Sequence, residues 1–189
     1  MKPIRVKTNW FRKDDGPRAS DETATVIASI IWRLADRAVI NLSTADYDII
    51  TPERGFKILG ELIAFMVHQT DRMLYGHMEE ATRNEVIQGL GKRMAEIMEK
   101  NIHETVGNDG FDYQSNFIDM LNRRAGDYAT FEFNPDQPNF QVLRFLGSCL
   151  RDLMLERDQP WVIDQIIELE APAMTEILTK TVDGLLHQE

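Results

Sequence analysis

Cysteine is almost absent from this chain, which limits the chemistry that it can support. The single residue, Cys149, excludes an intrachain disulfide and leaves no set of thiolates for a structural zinc site. Because a lack of disulfides is typical of reducing compartments, we expect a cytoplasmic protein. Cys149 recurs at helical spacing with Leu146, Leu150 and Leu153, which predicts a core position and not a nucleophile.

Long apolar runs and nucleotide-binding motifs are also missing. No segment approaches the roughly 20 apolar residues of a membrane helix, and the first residues lack the apolar middle of a secretory signal. There is no phosphate loop, no Gly-x-Gly-x-x-Gly and no Gly-x-Ser-x-Gly. We therefore expect no membrane association and no cofactor, and we favour a non-catalytic protein.

Charge is plentiful but unevenly spread. The chain of 189 residues has a net charge of −10, which disfavours nucleic-acid binding by the surface as a whole. Residues 1–19 form a basic N-terminal arm of net charge +4, which leaves −14 on residues 20–189. We expect the arm to lie on the acidic body, its own or that of a partner subunit. Trp10 and Phe11 leave a nucleic-acid arm as the less favoured alternative.

Six segments carry apolar residues at helical spacing, bounded by caps, proline or glycine. They predict helices at about 20–44, 51–76, 82–107, 113–128, 140–156 and 158–186. The residues Thr82-Arg83-Asn84-Glu85 predict a capping box at the start of the third helix. Pro172 predicts a kink in the sixth, and Gly147 a close approach of a neighbouring helix to the fifth. The fold class is all-α, a compact bundle in one helical domain, residues 20–189.

Two short segments alternate in the manner of strands. Residues 4–10 and 130–133 could pair as a minor two-strand ribbon, with Arg5 and Lys7 near Glu132.

Several polar residues fall on apolar helix faces when each helix is drawn at about 100° per residue. They are Arg124, Glu170, Asn101 and Asn41. Because a buried charge needs a partner, we predict that Arg124 and Glu170 pair, with one of the asparagines completing the hydrogen bonds. Such a network fixes helix register, or it forms the polar end of an interhelical pocket for a carboxylate or phosphate. In that second interpretation Glu170 is the candidate base.

The second helix carries a polar face opposite its main apolar face. Its members are Glu61, His68, Asp71, Arg72 and Tyr75. The spacing of three and four residues predicts a face turned away from the core, and Tyr75 favours a partner interface made by His68, Asp71, Arg72 and Tyr75. Glu61, His68 and Asp71 could supply metal ligands, but the chain has no Glu-x-x-His, so we assign no metal site.

Three functions remain open from the sequence. The leading one is a non-catalytic interaction or regulatory module that forms a homodimer or binds another protein. The second is a small-molecule binding protein or enzyme that uses Arg124 and Glu170. The third is a metal-handling helical bundle that uses His68 and its neighbours.

Overall fold

The computed structural model describes residues 20–49, 51–134 and 138–187, and their secondary structure is helical. The helices are α1 (Ser20–Thr44), α2 (Pro52–Leu74), α3 (Glu80–Val106), α4 (Tyr113–Tyr128), α5 (Phe140–Arg151), α6 (Gln159–Gln165), a π-helical segment (Ile166–Glu170) and α7 (Ala171–Leu186). The last three follow one another without interruption, so the predicted bundle of six helices is confirmed. The predicted basic arm, residues 1–19, lies outside the described residues.

The helix boundaries follow the predicted caps at most ends. α1 and α4 have the predicted limits, and α2 begins where Thr51 accepts a hydrogen bond from the Arg54 backbone N–H. The capping box at residues 82–85 is wrong, because α3 already begins at Glu80 and Arg83 N–H bonds to the Glu79 carbonyl. α5 ends at Arg151, where tighter turns replace its hydrogen-bond ladder.

The predicted ribbon is not formed on its 130–133 side. Thr130 N–H bonds to the Asp127 carbonyl and Phe131 N–H to the Tyr128 carbonyl, so this segment turns at the end of α4 instead of extending. The other segment, residues 4–10, lies outside the described residues.

The predicted irregularity near Pro172 takes the form of a π-helical segment. Proline has no N–H to continue the hydrogen-bond ladder, and Pro172 stands in the first turn of α7. The five residues before α7 widen into a π turn, in which Ala171 N–H bonds to the Ile166 carbonyl.

Helix α2 is the central helix of the bundle. It contacts α1, α3, α4, α5 and α7, and every residue from Ile58 to Met66 is buried. A helix surrounded on all sides has no face reserved for water. The polar residue in this buried middle, Glu61, therefore meets a neighbouring helix, which a helical wheel does not reveal.

Two glycines allow close contacts between helices. A β-carbon at Gly147 would lie 3.2 Å from the backbone Cα of Ile163, which confirms the predicted close approach to α5. Gly60 faces the side chains of Met120 and Phe117 on α4. The Gly147 contact packs α6 against α5, and the Gly60 contact packs α4 against α2.

Among the described helices, none is both long enough and apolar enough to cross a membrane.

Candidate functional site

A buried ion pair joins α2 to α4. Arg124 donates from Nε to Oε2 of Glu61 and from Nη2 to Oε1, both at 2.7 Å. Its Nη1 donates to Oδ2 of Asp127 at 2.9 Å. The Glu61 side chain is 10% exposed and that of Arg124 is 26% exposed, so both charges have lost most of their contact with water. The two parallel hydrogen bonds offset this cost of desolvation. The hydrogen bonds that Arg124 donates to Glu61 hold the pKa of Arg124 above its usual value.

Aromatic rings pack beside this ion pair. Tyr128 is fully buried, stacks on His68 at 5.1 Å between ring centroids, and meets Phe145 edge-on at 5.1 Å. Arg124 lies over Phe145, 5.7 Å from its centroid. The Tyr128 hydroxyl has no hydrogen-bond partner among the described residues, and burial raises its pKa well above the ordinary value.

His68 belongs to this cluster, in which it is half-buried. Burial, with a smaller contribution from the charge of Arg72, lowers the pKa of His68 from 6.5 to about 4. The ring is therefore neutral near pH 7, where it serves as an aromatic packing partner of Tyr128.

Cys149 also lies close to the ion pair. The thiol is half-buried, and burial followed by the charge of Glu61 raises its pKa to about 12. A thiol is a poor nucleophile at such a pKa because little of it is ionised.

The predicted pairing of Arg124 with Glu170 is wrong. Glu170 accepts hydrogen bonds from Asn41 Nδ2 at 3.0 Å and from Gln165 Nε2 at 3.1 Å. Gln165 and Glu170 are five residues apart, a separation that the π turn brings onto one side of the helix.

The two predicted asparagines have different roles. Asn41 does complete the hydrogen bonds of Glu170, as one form of the prediction required. Asn101 donates to the Ile97 carbonyl of its own helix at 2.8 Å. Asn41 and Glu170 thus share one contact, while Arg124 and Asn101 each lie in another, so the four residues do not form one polar site. Ligand binding by any of them stays a prediction.

The remaining polar residues at the end of α2 form a second network. Asp71 accepts a hydrogen bond from Arg83 at 3.0 Å. The guanidinium groups of Arg72 and Arg83 lie 5.0 and 5.1 Å from the ring centroid of Tyr75, which is 60% exposed. These contacts order the surface around Tyr75, while its predicted role as a partner interface stays a prediction.

Glu61 also lines a partly open groove of about 600 Å³. Its walls come from the first half of α2, the end of α3, the loop 107–112 and the first half of α4. The apolar lining consists of Phe56, Gly60, Met98, Ile102, Val106, Phe111, Phe117, Met120 and Leu153, with Tyr113 at the edge. We call this feature the groove.

The outer wall of the groove is a loop held by its own carboxylate. Asp109 accepts hydrogen bonds from the Phe111 N–H at 3.0 Å and from the Tyr113 hydroxyl at 2.9 Å. These bonds, that from Phe111 foremost, lower the pKa of Asp109, so the loop carries a negative charge. Phe111 and Val106 are 51% and 55% exposed, which leaves apolar surface at the mouth of the groove.

The charges that line the groove are mostly acidic. Glu53, Glu61 and Asp109 line it together with one cation, Lys57, which pairs with Glu53 at 2.7 Å. The carbonyl end of α3 at Val106 adds the negative end of a helix dipole. Because Arg124 compensates Glu61 and Lys57 compensates Glu53, Asp109 is the groove carboxylate that has no cationic partner among the described residues. An apolar segment with a basic residue near Asp109 is therefore complementary to this surface.

Metal ligands do not converge in the part of the chain that the structure describes, where no group of three or more histidine, cysteine or acidic residues could hold an ion. Comparison with known proteins found no significant match to a family model, a curated protein or a solved structure.

Sequence reasoning missed Glu61 as the partner of Arg124 and missed the groove. One pattern could have identified Glu61: it is the single charge within Ile58–Met66, a run that is otherwise apolar or glycine. A lone charge in such a run is expected to be buried and paired. The groove had no such pattern, because three helices and a loop build it from residues distant in the sequence.

Proposed function

We propose that this protein is a non-catalytic interaction module whose groove binds an amphipathic, basic segment of a partner protein. The observation that carries the proposal is the groove itself, which is apolar inside and bordered by acidic side chains. Helix-in-groove recognition uses the same combination of apolar anchors and flanking charges. A cytoplasmic location, and a second copy of the chain as one source of the segment, belong to the same proposal.

The exposed apolar side chains at the mouth support a protein partner. Val106 and Phe111 project from the outer wall, where a ligand enclosed within the groove would leave them in water. A helix lying along the groove would cover them and would place further side chains inside. Aromatic and aliphatic anchors that fill a pocket are typical of the energetic centres of protein interfaces.

The state of Glu61 argues against catalysis in the groove. Both of its carboxylate oxygens accept hydrogen bonds from Arg124, so neither is available as a general base without breaking the ion pair. Cys149 is disfavoured as a nucleophile by its raised pKa of about 12.

The volume of the groove supports a second candidate function. About 600 Å³ falls within the range of roughly 300–1,000 Å³ that is usual for small-molecule pockets. An uncharged or cationic apolar compound would be the matching ligand, since the carboxylate of Asp109 repels anions. The earlier alternative, a carboxylate or phosphate held by Arg124 and Glu170 together, is less favoured because these residues do not pair.

Methionine methyl groups provide a direct test. Met98 and Met120 line the groove, whereas Met73 lies at the far end of α2 and contacts Thr179. The probe is a synthetic amphipathic helix of about 18 residues with leucine on one face and lysine on the other. We expect its titration to shift the NMR signals of the Met98 and Met120 methyls while the Met73 signal stays in place.

Three controls make the result decisive. A scrambled peptide and one with glutamate in place of lysine should produce little shift at Met98 and Met120. The titration is repeated with Trp10→Ser/Phe11→Ser, since this aromatic pair is a potential internal competitor. The absence of shifts up to millimolar peptide in both proteins would contradict the proposal. Shifts with small apolar compounds alone would favour the small-molecule function.

A further inference from the structure

We propose that the chain's own N-terminal arm, residues 1–19, occupies the groove and competes with the partner segment. The inference rests on the proposed function of the groove and adds an autoinhibitory contact to it. The arm lies outside the described residues, so the argument uses its sequence, its point of attachment and the surface that it can reach.

The composition of the arm matches the groove. Six basic residues and two acidic ones give it a charge of +4, opposite in sign to Asp109 at the groove and to the net charge of −14 on residues 20–189. Trp10 and Phe11 are its aromatic residues and stand in its middle, followed by Arg12 and Lys13. Aromatic anchors beside basic residues are the chemistry that the groove selects.

The attachment point of the arm lies within reach of the groove. The hydroxyl of Ser20 donates to Glu85 Oε2 at 2.9 Å, close to the start of α3. Met98 lies about 20 Å further along α3, since a helix rises about 1.5 Å per residue. An extended chain spans about 3.3 Å per residue, so the stretch from Trp10 to Ser20 can cover about 33 Å.

Because of the direction of the helices, an arm in the groove and an arm outside it would lie near different methionines. α1 and α3 run parallel, because Ser20 contacts Glu85 and, further on, Thr25 contacts Arg93. The arm is therefore attached at the end of the bundle near Met78, which precedes α3, and not at the groove end. An arm that stays near its attachment point would lie close to Met78, whereas an arm in the groove would lie close to Met98 and Met120.

A spin label on the full chain tests this difference. The label is attached to Thr8→Cys in a Cys149→Ala background, and the protein carries isotope-labelled methionine methyls. The sample is diluted with an excess of unlabelled chains, so that only contacts within one chain are detected. We expect the label to remove most of the Met98 and Met120 signals, with a smaller loss at Met78. Added salt should restore the two signals, because the contact is partly electrostatic.

Trp10→Ser/Phe11→Ser with the same label provides the matched control. It should keep the Met98 and Met120 signals, since the charge of the arm is unchanged but its anchors are gone. Loss of signal at Met78 alone would overturn the inference. Loss at Met98 and Met120 only when label and methyl groups sit on different chains would also overturn it, because the arm would then act between copies.

The spin-label experiment can fail independently of the proposed function. If the helical peptide shifts Met98 and Met120 but the spin label does not affect them, the inference fails and the function stands. If both are correct, the peptide should bind Trp10→Ser/Phe11→Ser several-fold more tightly than the wild type. If neither experiment affects these methyls, both proposals fail.

Discussion

Arg124 on α4 donates two hydrogen bonds of 2.7 Å to Glu61 on α2, one to each carboxylate oxygen. This contact sits between the buried aromatic cluster and the groove, and it ties the central helix to the helix that forms the groove wall. We expect Arg124→Met to lower the free energy of unfolding by about 2–4 kcal/mol, because it leaves the charge of Glu61 buried without a partner. Urea denaturation measures the change.

Two comparisons isolate the ion pair. Glu61→Leu combined with Arg124→Met should cost less than the sum of the single changes, since neither charge is then left alone. The exposed pair of Glu53 and Lys57 has the same 2.7 Å separation, but its Lys57→Met variant should change stability by no more than about 1 kcal/mol. Equal effects at the two pairs would show that burial does not set the strength of the Glu61 contact.

His68 should make stability depend on pH. Its pKa is about 4 in the folded protein and 6.5 when exposed, so the unfolded chain binds more protons between these values. The free energy of unfolding should therefore rise with pH from 4 to 6.5 and fall as the pH drops through this window. His68→Phe, which keeps an aromatic ring beside Tyr128, should flatten this part of the curve, whereas His77→Phe at an exposed position should not. An NMR titration midpoint near 6.5 for His68 would refute the explanation.

Gly147 should not tolerate a side chain. In Gly147→Ala the new β-carbon would lie 3.2 Å from the Ile163 backbone, which cannot move aside as a side chain can. We expect a loss of about 1–2 kcal/mol in the free energy of unfolding. Gly126→Ala is the matched control, because Gly126 is also helical but has no atoms near its missing β-carbon, and it should gain about 0.5–1 kcal/mol. Similar changes at both positions would remove the role assigned to this close approach.

Cys149 should react slowly with thiol reagents in the folded protein. Its pKa of about 12, against an ordinary 9.0, implies roughly a thousandfold less thiolate near pH 8. The rate of reaction with a chromogenic disulfide measures this directly, and the same chain in urea should react at the rate of a free thiol. Fast reaction of the folded protein would reopen Cys149 as a functional residue.

Local patterns predicted the helices well because caps and apolar spacing act over a few residues. Thr51-Pro52 marked the start of α2, and the limits of α4 followed from its own sequence. Partners across the bundle were harder, because a helical wheel assigns one face to the core while α2 is covered on all sides. Glu61 and His68 were therefore placed outside, although the structure buries Glu61 against α4 and half-buries His68 against Tyr128.

The π segment explains the error at Glu170 in a different way. A wheel drawn at 100° per residue separates Gln165 from Glu170, whereas the wider turn brings them into hydrogen-bond contact. Asn41 was identified as a potential partner because it lies on the buried face of α1. The groove could not be predicted, since its walls come together only through packing.

The central claim is that the groove binds a basic, amphipathic segment, and Phe111 at its mouth provides the most direct measurement. The lysine–leucine helix is titrated calorimetrically into Trp10→Ser/Phe11→Ser, with and without Phe111→Asp or, as a control, Phe140→Asp. Phe111 and Phe140 are 51% and 60% exposed, so neither change disturbs a buried position. The account predicts that Phe111→Asp weakens binding roughly tenfold or more and that Phe140→Asp leaves it unchanged. Equal affinities for all three proteins, or no binding by any of them, would contradict it.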